Sequence, residues 1–255
     1  MNNKIIELNF FTNIMHADPR RIPIFDTINS VDKTFSLSEF SSLTIYIHPH
    51  PFREPLDEYV GLLGKFFKDR DLSPKFVHTN GLWDGYVKSI QAASSPYALQ
   101  MEHDWEFYSR RIKHSASEIV AVMNQENLPY LRFNKRKNGI ITGMILHVEE
   151  RSAGNFRYCV DNVMSNNPHF IDTEYYRKVA LPLLLRQAGA GSLGIERELT
   201  AELSKGASYG PIGHRSTITH LNGKKIFQKS QMTSLEKVMY RLTRLKKTLL
   251  KNTRI

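Results

Sequence analysis

The sequence predicts an α/β fold in which a mainly parallel central sheet is flanked by helices and followed by an amphipathic C-terminal helix. Short apolar segments rich in strand-forming residues alternate with longer segments of helical spacing through the first half of the chain. A strand–helix–strand order is typical of a parallel sheet with helices on its faces. Near the C-terminus, apolar residues again recur at helical spacing, now among basic residues.

Four strands are predicted in the first half: "KIIELNFF" (4–11), "SSLTIYIHP" (41–49), "PKFVHT" (74–79) and "SPYALQME" (95–102). Helical spacing marks residues 21–31, 55–67 and 81–93 between them. Pro55 and Asp57 suit the first turn of a helix, and Gly81 follows Asn80 at a turn. Each predicted helix therefore connects two successive strands.

The second half is less regular. Residues 129–158 read as strands and polar loops, with "FNKRKNG" (133–139) as an exposed turn. A helix over 172–189 is expected to be broken or bent around Pro182, and a second short helix runs from Gly194 to near Gly206. A short strand from Ser216 to Leu221 follows a loop rich in Gly, Pro and Ser.

Composition restricts the function classes. With 255 residues, 41% of them hydrophobic, the chain has the make-up of a globular protein. The single cysteine, Cys159, excludes an internal disulfide and a cysteine-based zinc cluster. The N-terminal segment lacks the features of a secretory signal, and no stretch approaches the length of a membrane-spanning helix. We therefore expect a cytoplasmic protein.

The net charge of +10 predicts an anionic partner. The segment Ser234–Ile255 holds seven Lys and Arg residues and one Glu, hence six of the ten net charges. We divide the chain into a domain over 1–228 and a basic amphipathic helix over 229–255. This helix either packs on the domain or lies on an anionic membrane surface as a peripheral contact. A nucleic-acid arm is less favoured, because Tyr240 is the one aromatic residue among these charges.

An acidic triplet follows the fourth strand: Glu102, His103 and Asp104. Ligands of parallel sheets collect beyond the carboxyl ends of the strands. Carboxylate oxygens suit Mg²⁺ or Mn²⁺, and residues two apart on an extended segment point the same way. The triplet is either a polar turn or a cation site, and its position favours the cation site.

Common nucleotide-binding signatures are missing. The sequence contains neither Gly-x-Gly-x-x-Gly nor a phosphate-loop lysine motif, so a Rossmann dehydrogenase or a P-loop enzyme is not supported. Gly81 and Gly85 lie at the junction of a strand and a helix. They either let a nucleotide approach the backbone or serve only the turn.

The run "GYVKSIQAASSPYALQMEHDWEF" (85–107) resembles the core of GT-A fold glycosyltransferases, particularly those grouped with family 2. In that family a strand ends in an acidic DxD triplet, and here Glu102-His103-Asp104 forms an ExD variant. The opening "LNFFTNIMHADPRRIPIFDTINSV" (8–31) looks like the family's first strand and helix. "NNPHFIDTEYYRK" (166–178) and "YGPIGHRSTITHLNG" (209–223) look like its acceptor-side segment and closing loop. The resemblance covers about the first 225 residues.

This resemblance implies a GT-A-like (Rossmann-like) enzyme that uses a nucleotide-diphosphate sugar with Mn²⁺ or Mg²⁺. Asp104 would be the main metal contact, with Glu102 in support and His214 as a further ligand. His48 lies where the family usually has an acidic residue that holds the base. The implied nucleotide site comprises Thr12, Asn13, His16, Asp18, Arg21, His48, Gly81, Gly85, His103 and Arg215.

The family also places a general base in an acidic pair that opens a helix. "LGIEREL" is the matching segment, in which Glu196 is the first candidate and Glu198 the second, although Arg197 replaces the second acid of the pair. The alternative to a catalytic role is that Glu196 and Glu198 are ordinary exposed acids of a helix. Tyr158, Asp161 and the loop "SNNPH" (165–169) would line the acceptor pocket. Trp105 either stacks on the sugar or packs beneath the metal loop, and packing is favoured.

The sequence thus favours a metal-dependent, inverting glycosyltransferase that acts on a hydroxyl of a glycan, lipid or protein acceptor. Two alternatives belong to other classes. One is a non-catalytic carbohydrate- or nucleotide-binding module on the same fold, which the missing second acid would suit. The other, less favoured, is a basic nucleic-acid-binding protein, since nucleic-acid-binding motifs are absent from the sequence.

Overall fold

A computed structural model describes residues 5–13, 23–48, 56–139, 149–161, 164–186, 199 and 206–221. By contacts between Cα atoms, the chain divides into the units Met1–His220 and Leu221–Ile255. Nearly all described residues belong to the first unit, and the predicted boundary at residue 228 stays a prediction. The predicted C-terminal helix lies outside the described residues, as does most of the helix predicted over 194–206.

Eleven strands are described: β1 Ile6–Asn13, β2 Ser42–His48, β3 Lys75–His78, β4 Tyr97–Glu102, β5 Trp105–Phe107, β6 Tyr130–Arg132, β7 Glu149–Ala153, β8 Phe156–Asp161, β9 His169–Asp172, β10 Gly206–Tyr209 and β11 Ile218–His220. Nine of them form one sheet in the order β3-β2-β1-β4-β9-β6-β10-β8-β7. Only β8 and β9 run against the other seven. The predicted mainly parallel sheet is confirmed. Strands β5 and β11 form a separate antiparallel pair.

The main helices are α1 Pro23–Phe35, α2 Leu56–Lys68, α3 Leu82–Ala92 and α4 Ala116–Glu126. The first three agree with the predicted helices to within a few residues. A further helical stretch consists of α5 Thr173–Tyr175, a π-helical segment Tyr176–Ala180 and α6 Leu181–Arg186. The irregular turn comes directly before Pro182, whose missing N–H disrupts the regular hydrogen-bond ladder. The regular α-helix is therefore interrupted near Pro182 by a π-helical segment, and a bend there stays a prediction.

Sequence reasoning missed α4, although its starting signal is present. The side chain of Ser115 accepts from the backbone N–H of Glu118, and the Glu118 carboxylate accepts from the backbone N–H of Ser115. This capping box satisfies two N–H groups at the start of the helix. Ile119, Val120 and Met123 then supply the buried face. The Ser-x-x-Glu signal before these apolar residues would have been enough to predict the helix.

The sheet explains why the first strands read as almost continuous apolar runs. Every residue of β1 except Asn13 is buried, and β4 is buried up to Glu102. A parallel strand covered by helices on both faces needs apolar residues on both faces. No helix in the described part of the chain is long and apolar enough to cross a membrane.

Candidate functional site

The carboxyl ends of three parallel strands bring the predicted polar residues to one edge of the sheet. Asn13 at the end of β1 pairs with His48 at the end of β2, and Phe11 pairs with Glu102 at the end of β4. The backbone N–H of His103 then donates to the carbonyl of Phe11 at 2.9 Å. The acidic triplet therefore begins where the parallel pairing of β1 and β4 stops.

Helix α1 holds the triplet in place. The Thr27 hydroxyl donates to the carbonyl of His103 at 2.6 Å, and the Ser30 hydroxyl accepts from the backbone N–H of Phe107 at 3.1 Å. Both hydroxyls lie on the buried face of α1, beside Ile24, Ile28 and Val31. These two positioning residues were missed from the sequence, and their signal is polar residues on an otherwise apolar helix face.

Four buried polar atoms at this edge lack a hydrogen-bond partner among the described residues: Asn13 Oδ1, Thr79 Oγ1, His103 Nε2 and Asp104 Oδ1. They lie at or directly after the ends of β1, β3 and β4. Buried polar groups in folded proteins are almost always hydrogen-bonded, because an unpaired one keeps its full desolvation cost. These are four of the nine unpartnered buried side-chain atoms among the described residues, and a polar ligand bound at this edge would give them partners.

A histidine lies beside Asp104. The Nε2 atom of His220 is 3.2 Å from Oδ2 of Asp104. Strand β11 delivers this histidine, because its pairing with β5 sets His220 opposite Trp105. The two rings meet edge to face with centroids 4.5 Å apart. Trp105 is buried, as expected for packing beneath the metal loop.

His214 has a different environment. Its Nε2–H donates to the carbonyl of Arg111 at 3.2 Å, and its ring packs against Tyr209. Burial lowers the pKa of His214, which favours the neutral ring. The structure places His220 next to Asp104, and His214 as a metal ligand stays a prediction.

The metal-binding prediction can be compared with the donor atoms on this edge. Asp104 offers an unpartnered buried oxygen, His220 offers a nitrogen nearby, and Glu102 lies two residues earlier. Carboxylate and imidazole donors suit Mn²⁺, and carboxylate alone suits Mg²⁺. Within the described residues, no three His, Cys, Asp or Glu side chains are arranged as a metal site. A cation bound here would need its remaining ligands from water and a bound phosphate, and the metal site stays a prediction.

The side chain of His103 is buried. Burial lowers its pKa, although the negative charge of Asp104 acts in the opposite direction. The neutral ring therefore dominates at pH 7. His103 can offer a nucleotide one hydrogen bond through Nε2, without a charge.

Two other predicted nucleotide contacts have structural roles. The Thr12 hydroxyl is hydrogen-bonded to the Tyr59 hydroxyl of α2 at 2.8 Å. A Cβ atom at Gly85 would lie 3.0 Å from Cδ1 of Phe11, so this glycine lets α3 pack on β1. Gly81 precedes α3 with φ +142°. Nucleotide contacts at these positions stay predictions.

The remaining predicted residues divide into three groups. Arg215 is exposed on the loop before β11. His16, Asp18, Arg21 and both catalytic candidates, Glu196 and Glu198, lie outside the described residues. Of the predicted acceptor-side residues, Asp161 and Asn167 line a cavity, whereas the Tyr158 hydroxyl donates to Glu126 at 2.9 Å.

Comparison with solved structures concerns the fold. Residues 1–349 of TarS from S. aureus superpose with a TM-score of 0.50 at 10% sequence identity, over 86% of this chain and 61% of that one. TarS is a GT-A-type glycosyltransferase. The fold is GT-A-like. This agrees with the resemblance seen in residues 85–107, and the chain spans about three fifths of the TarS chain that it matches.

Two further structures have lower scores. The complex of TarS 1–349 with UDP-GlcNAc gives a TM-score of 0.47 at 12% identity, covering 89% of this chain and 61% of that one. The 4-diphosphocytidyl-2C-methyl-D-erythritol synthase of Anaerococcus prevotii gives 0.48 at 10% identity, covering 89% and 92%. No protein-family model and no curated protein sequence matches the chain.

Proposed function

We propose that this protein is a metal-dependent, inverting glycosyltransferase that transfers a sugar from a nucleotide-diphosphate sugar to an acceptor hydroxyl. The observation that carries the proposal is the group of unpartnered buried polar atoms at the carboxyl edge of β1, β3 and β4, next to the Asp104–His220 pair. The GT-A-like fold adds support, since ligands of open α/β sheets bind at this edge.

The residues have distinct roles in this proposal. Asp104 and His220 would hold Mn²⁺ or Mg²⁺, with Glu102 in support, and Asn13 and His103 would contact the nucleotide. A bound cation supplies charge neutralisation for the departing nucleoside diphosphate. The acceptor oxygen attacks the anomeric carbon and gives its proton to a base, while the diphosphate oxygen leaves with the bonding electron pair. Glu196 or Glu198 is the proposed base.

Donor binding is tested first by thermal shift. UDP-GlcNAc is the first donor to test, because TarS has been crystallised with it, followed by other nucleotide sugars, each with and without Mn²⁺. A ligand that binds only the folded chain raises its melting temperature by mass action. We expect a shift that needs both donor and metal and that disappears in Asp104→Asn.

The matched control is Asp71→Asn. Asp71 is an exposed aspartate with φ 55°, a conformation that asparagine tolerates. This variant should keep the wild-type shift. Equal shifts in the two variants would show that Asp104 is not part of the donor site. The absence of a shift with every donor would favour the non-catalytic alternative.

Product analysis identifies the reaction. Transfer of a sugar releases a nucleoside diphosphate, whereas nucleotidyl transfer consumes a nucleoside triphosphate and releases pyrophosphate. We expect metal-dependent release of nucleoside diphosphate from the sugar donor. Pyrophosphate release from a triphosphate, without that activity, would contradict glycosyl transfer and indicate a nucleotidyltransferase.

A further inference from the structure

Apart from the proposed donor site, a polar cavity lies beside β6, β8 and β10 and has a volume of about 260 Å³. Its lining includes four cationic side chains, Arg132, Lys135, Arg136 and Lys137, against one described carboxylate, that of Asp161. We call it the basic cavity. The volume is slightly below the range of roughly 300–1,000 Å³ that is usual for small-molecule sites, which suits a small group.

The floor of the basic cavity is a buried ion pair. Nη2 of Arg132 donates to Oδ2 of Asp161 at 2.8 Å, and Nε donates to the Ser208 hydroxyl at 2.9 Å. The Ser208 hydroxyl in turn donates to the same Asp161 oxygen at 2.6 Å. Since Asp161 balances the charge of Arg132, the excess positive charge comes from the residues above the pair. No described residue accepts a hydrogen bond from Nη1 of Arg132.

The excess charge comes from the basic loop, residues 133–139, which follows β6. Lys135, Arg136 and Lys137 are all exposed, and none of them forms an ion pair with a described residue. Three adjacent cations repel one another, so an anion bound between them would relieve that repulsion. This face of the cavity is therefore suited to a negatively charged group.

The backbone of the basic loop is firmly held. The Asn138 side chain donates to the carbonyls of Tyr209 and Gly210, both at 2.9 Å. The N–H of Asn134 donates to the Thr217 hydroxyl at 3.0 Å, and its carbonyl accepts from the N–H of Thr217 at 2.8 Å. A fixed backbone presents the three cations with less ordering cost on binding than a free loop would.

The same loop borders the proposed donor site. Nζ of Lys135 lies 5.7 Å from the centroid of the Trp105 ring, and Trp105 directly follows Asp104. Thr217, which is hydrogen-bonded to the loop, directly precedes the strand that carries His220. A molecule in the basic cavity would therefore lie near the donor sugar, where a glycosyltransferase binds its acceptor.

Cys159 also lines the basic cavity but offers no anion of its own. Burial is the main factor that raises the pKa of its thiol to about 11, and nearby Glu150 and Asp161 add to it. The thiol therefore stays protonated at neutral pH. Neither a nucleophilic thiolate nor a thiolate metal ligand is expected there.

We propose that the basic cavity is an acceptor subsite for an anionic group, a phosphate or a carboxylate. The assignment to the acceptor rests on the proposed glycosyltransferase function, whereas anion binding rests on the cavity alone. The enzyme would thus select acceptors that carry a negative charge close to the hydroxyl that is glycosylated.

The test is calorimetric titration of the intact protein with methyl phosphate, glucuronate and, as a neutral control, glucose. We expect binding of at least one anion and none of glucose. Arg136→Gln with Lys137→Gln should weaken that binding about tenfold or more, because charge-assisted hydrogen bonds are lost. Both side chains are exposed, so the variant should fold normally.

A matched control removes the same charge elsewhere. Lys65 and Lys68 are exposed on α2, and Lys65→Gln with Lys68→Gln should leave anion binding unchanged. Equal weakening in both double variants, or no anion binding by the wild type, would overturn the proposal. The tighter of the two anions identifies whether the site prefers phosphate or carboxylate.

Repeating the titration with UDP and Mn²⁺ separates this inference from the proposed function. Anion binding that persists beside the nucleotide supports an acceptor subsite. Competition between them would overturn the acceptor assignment, because the cavity would then bind the donor's diphosphate. If no nucleotide binds at all, the glycosyltransferase proposal fails, while the anion site is still decided by the charge variants.

Discussion

Nε2 of His220 lies 3.2 Å from Oδ2 of Asp104, although 116 residues separate them in the chain. The contact depends on the pairing of β11 with β5, which sets His220 opposite Trp105, the residue directly after Asp104. A histidine delivered in this way can complete a metal shell that the triplet begins. Substitution of His220 and of His214 therefore tests which of the two histidines contributes to the proposed metal site.

We expect His220→Ala to weaken Mn²⁺-dependent donor binding about tenfold or more, the usual effect of losing a group that binds or orients at a metal site. His214→Ala should have a smaller effect, because Nε2 of His214 is engaged by the Arg111 carbonyl. Donor titrations at fixed Mn²⁺ would measure both. The reverse order of effects would restore His214 as the ligand.

The second prediction concerns the packing of α3 on β1. A Cβ atom added at Gly85 would lie 3.0 Å from Cδ1 of Phe11, whose ring stacks on Tyr86 at 4.2 Å. We expect Gly85→Ala to lower the free energy of unfolding by about 1–3 kcal/mol through overpacking. Urea denaturation would measure the change.

Gly61 provides the matched control on α2. A Cβ atom there meets nothing within 4 Å, so Gly61→Ala should raise the free energy of unfolding by up to about 1 kcal/mol through helix propensity. Opposite signs at the two glycines would show that contact with Phe11 determines the effect. A stabilising Gly85→Ala would contradict the packing described.

The third prediction concerns the floor of the basic cavity. The side chains of Arg132 and Asp161 are 10% and 4% exposed. Arg132→Met leaves the carboxylate buried without its partner, which should cost about 3–5 kcal/mol of unfolding free energy. Adding Asp161→Leu should recover much of that loss, because the buried negative charge is removed. Denaturant midpoints of both variants decide this, and a double variant no more stable than Arg132→Met would contradict it.

The fourth prediction concerns pH. Burial lowers the pKa of His169 to about 4, and its Nδ1–H donates to the carbonyl of Asn167 at 2.6 Å. Between pH 6.5 and 4 the unfolded chain takes up this proton more readily than the folded one. The stabilisation is therefore full above pH 6.5 and is lost towards pH 4, on the order of 3 kcal/mol in total.

We expect His169→Gln to make the free energy of unfolding less dependent on pH over that window. Denaturation at several pH values would measure the slope. His78→Gln, at an exposed histidine of β3, controls for the loss of an imidazole. An unchanged slope in His169→Gln would contradict the assignment.

Sequence reasoning was most successful where burial imposes a simple pattern. The strands β1 to β4 and helices α1 to α3 were predicted because both faces of a covered parallel strand must be apolar, and each helix needs one apolar face. The position of the acidic triplet at the end of β4 followed from the same alternation. In contrast, α4 has a capping box that was present in the sequence and was overlooked.

The sequence by itself determined the GT-A-like class, the order of the first elements and the placement of Asp104 at a strand end. Tertiary structure alone decided that His220 approaches Asp104 and that Arg132, Asp161 and Ser208 form one hydrogen-bonded cluster. Local patterns follow from burial of neighbouring residues along the chain. Contacts between distant residues depend on strand order and register, which hydrophobic spacing does not encode.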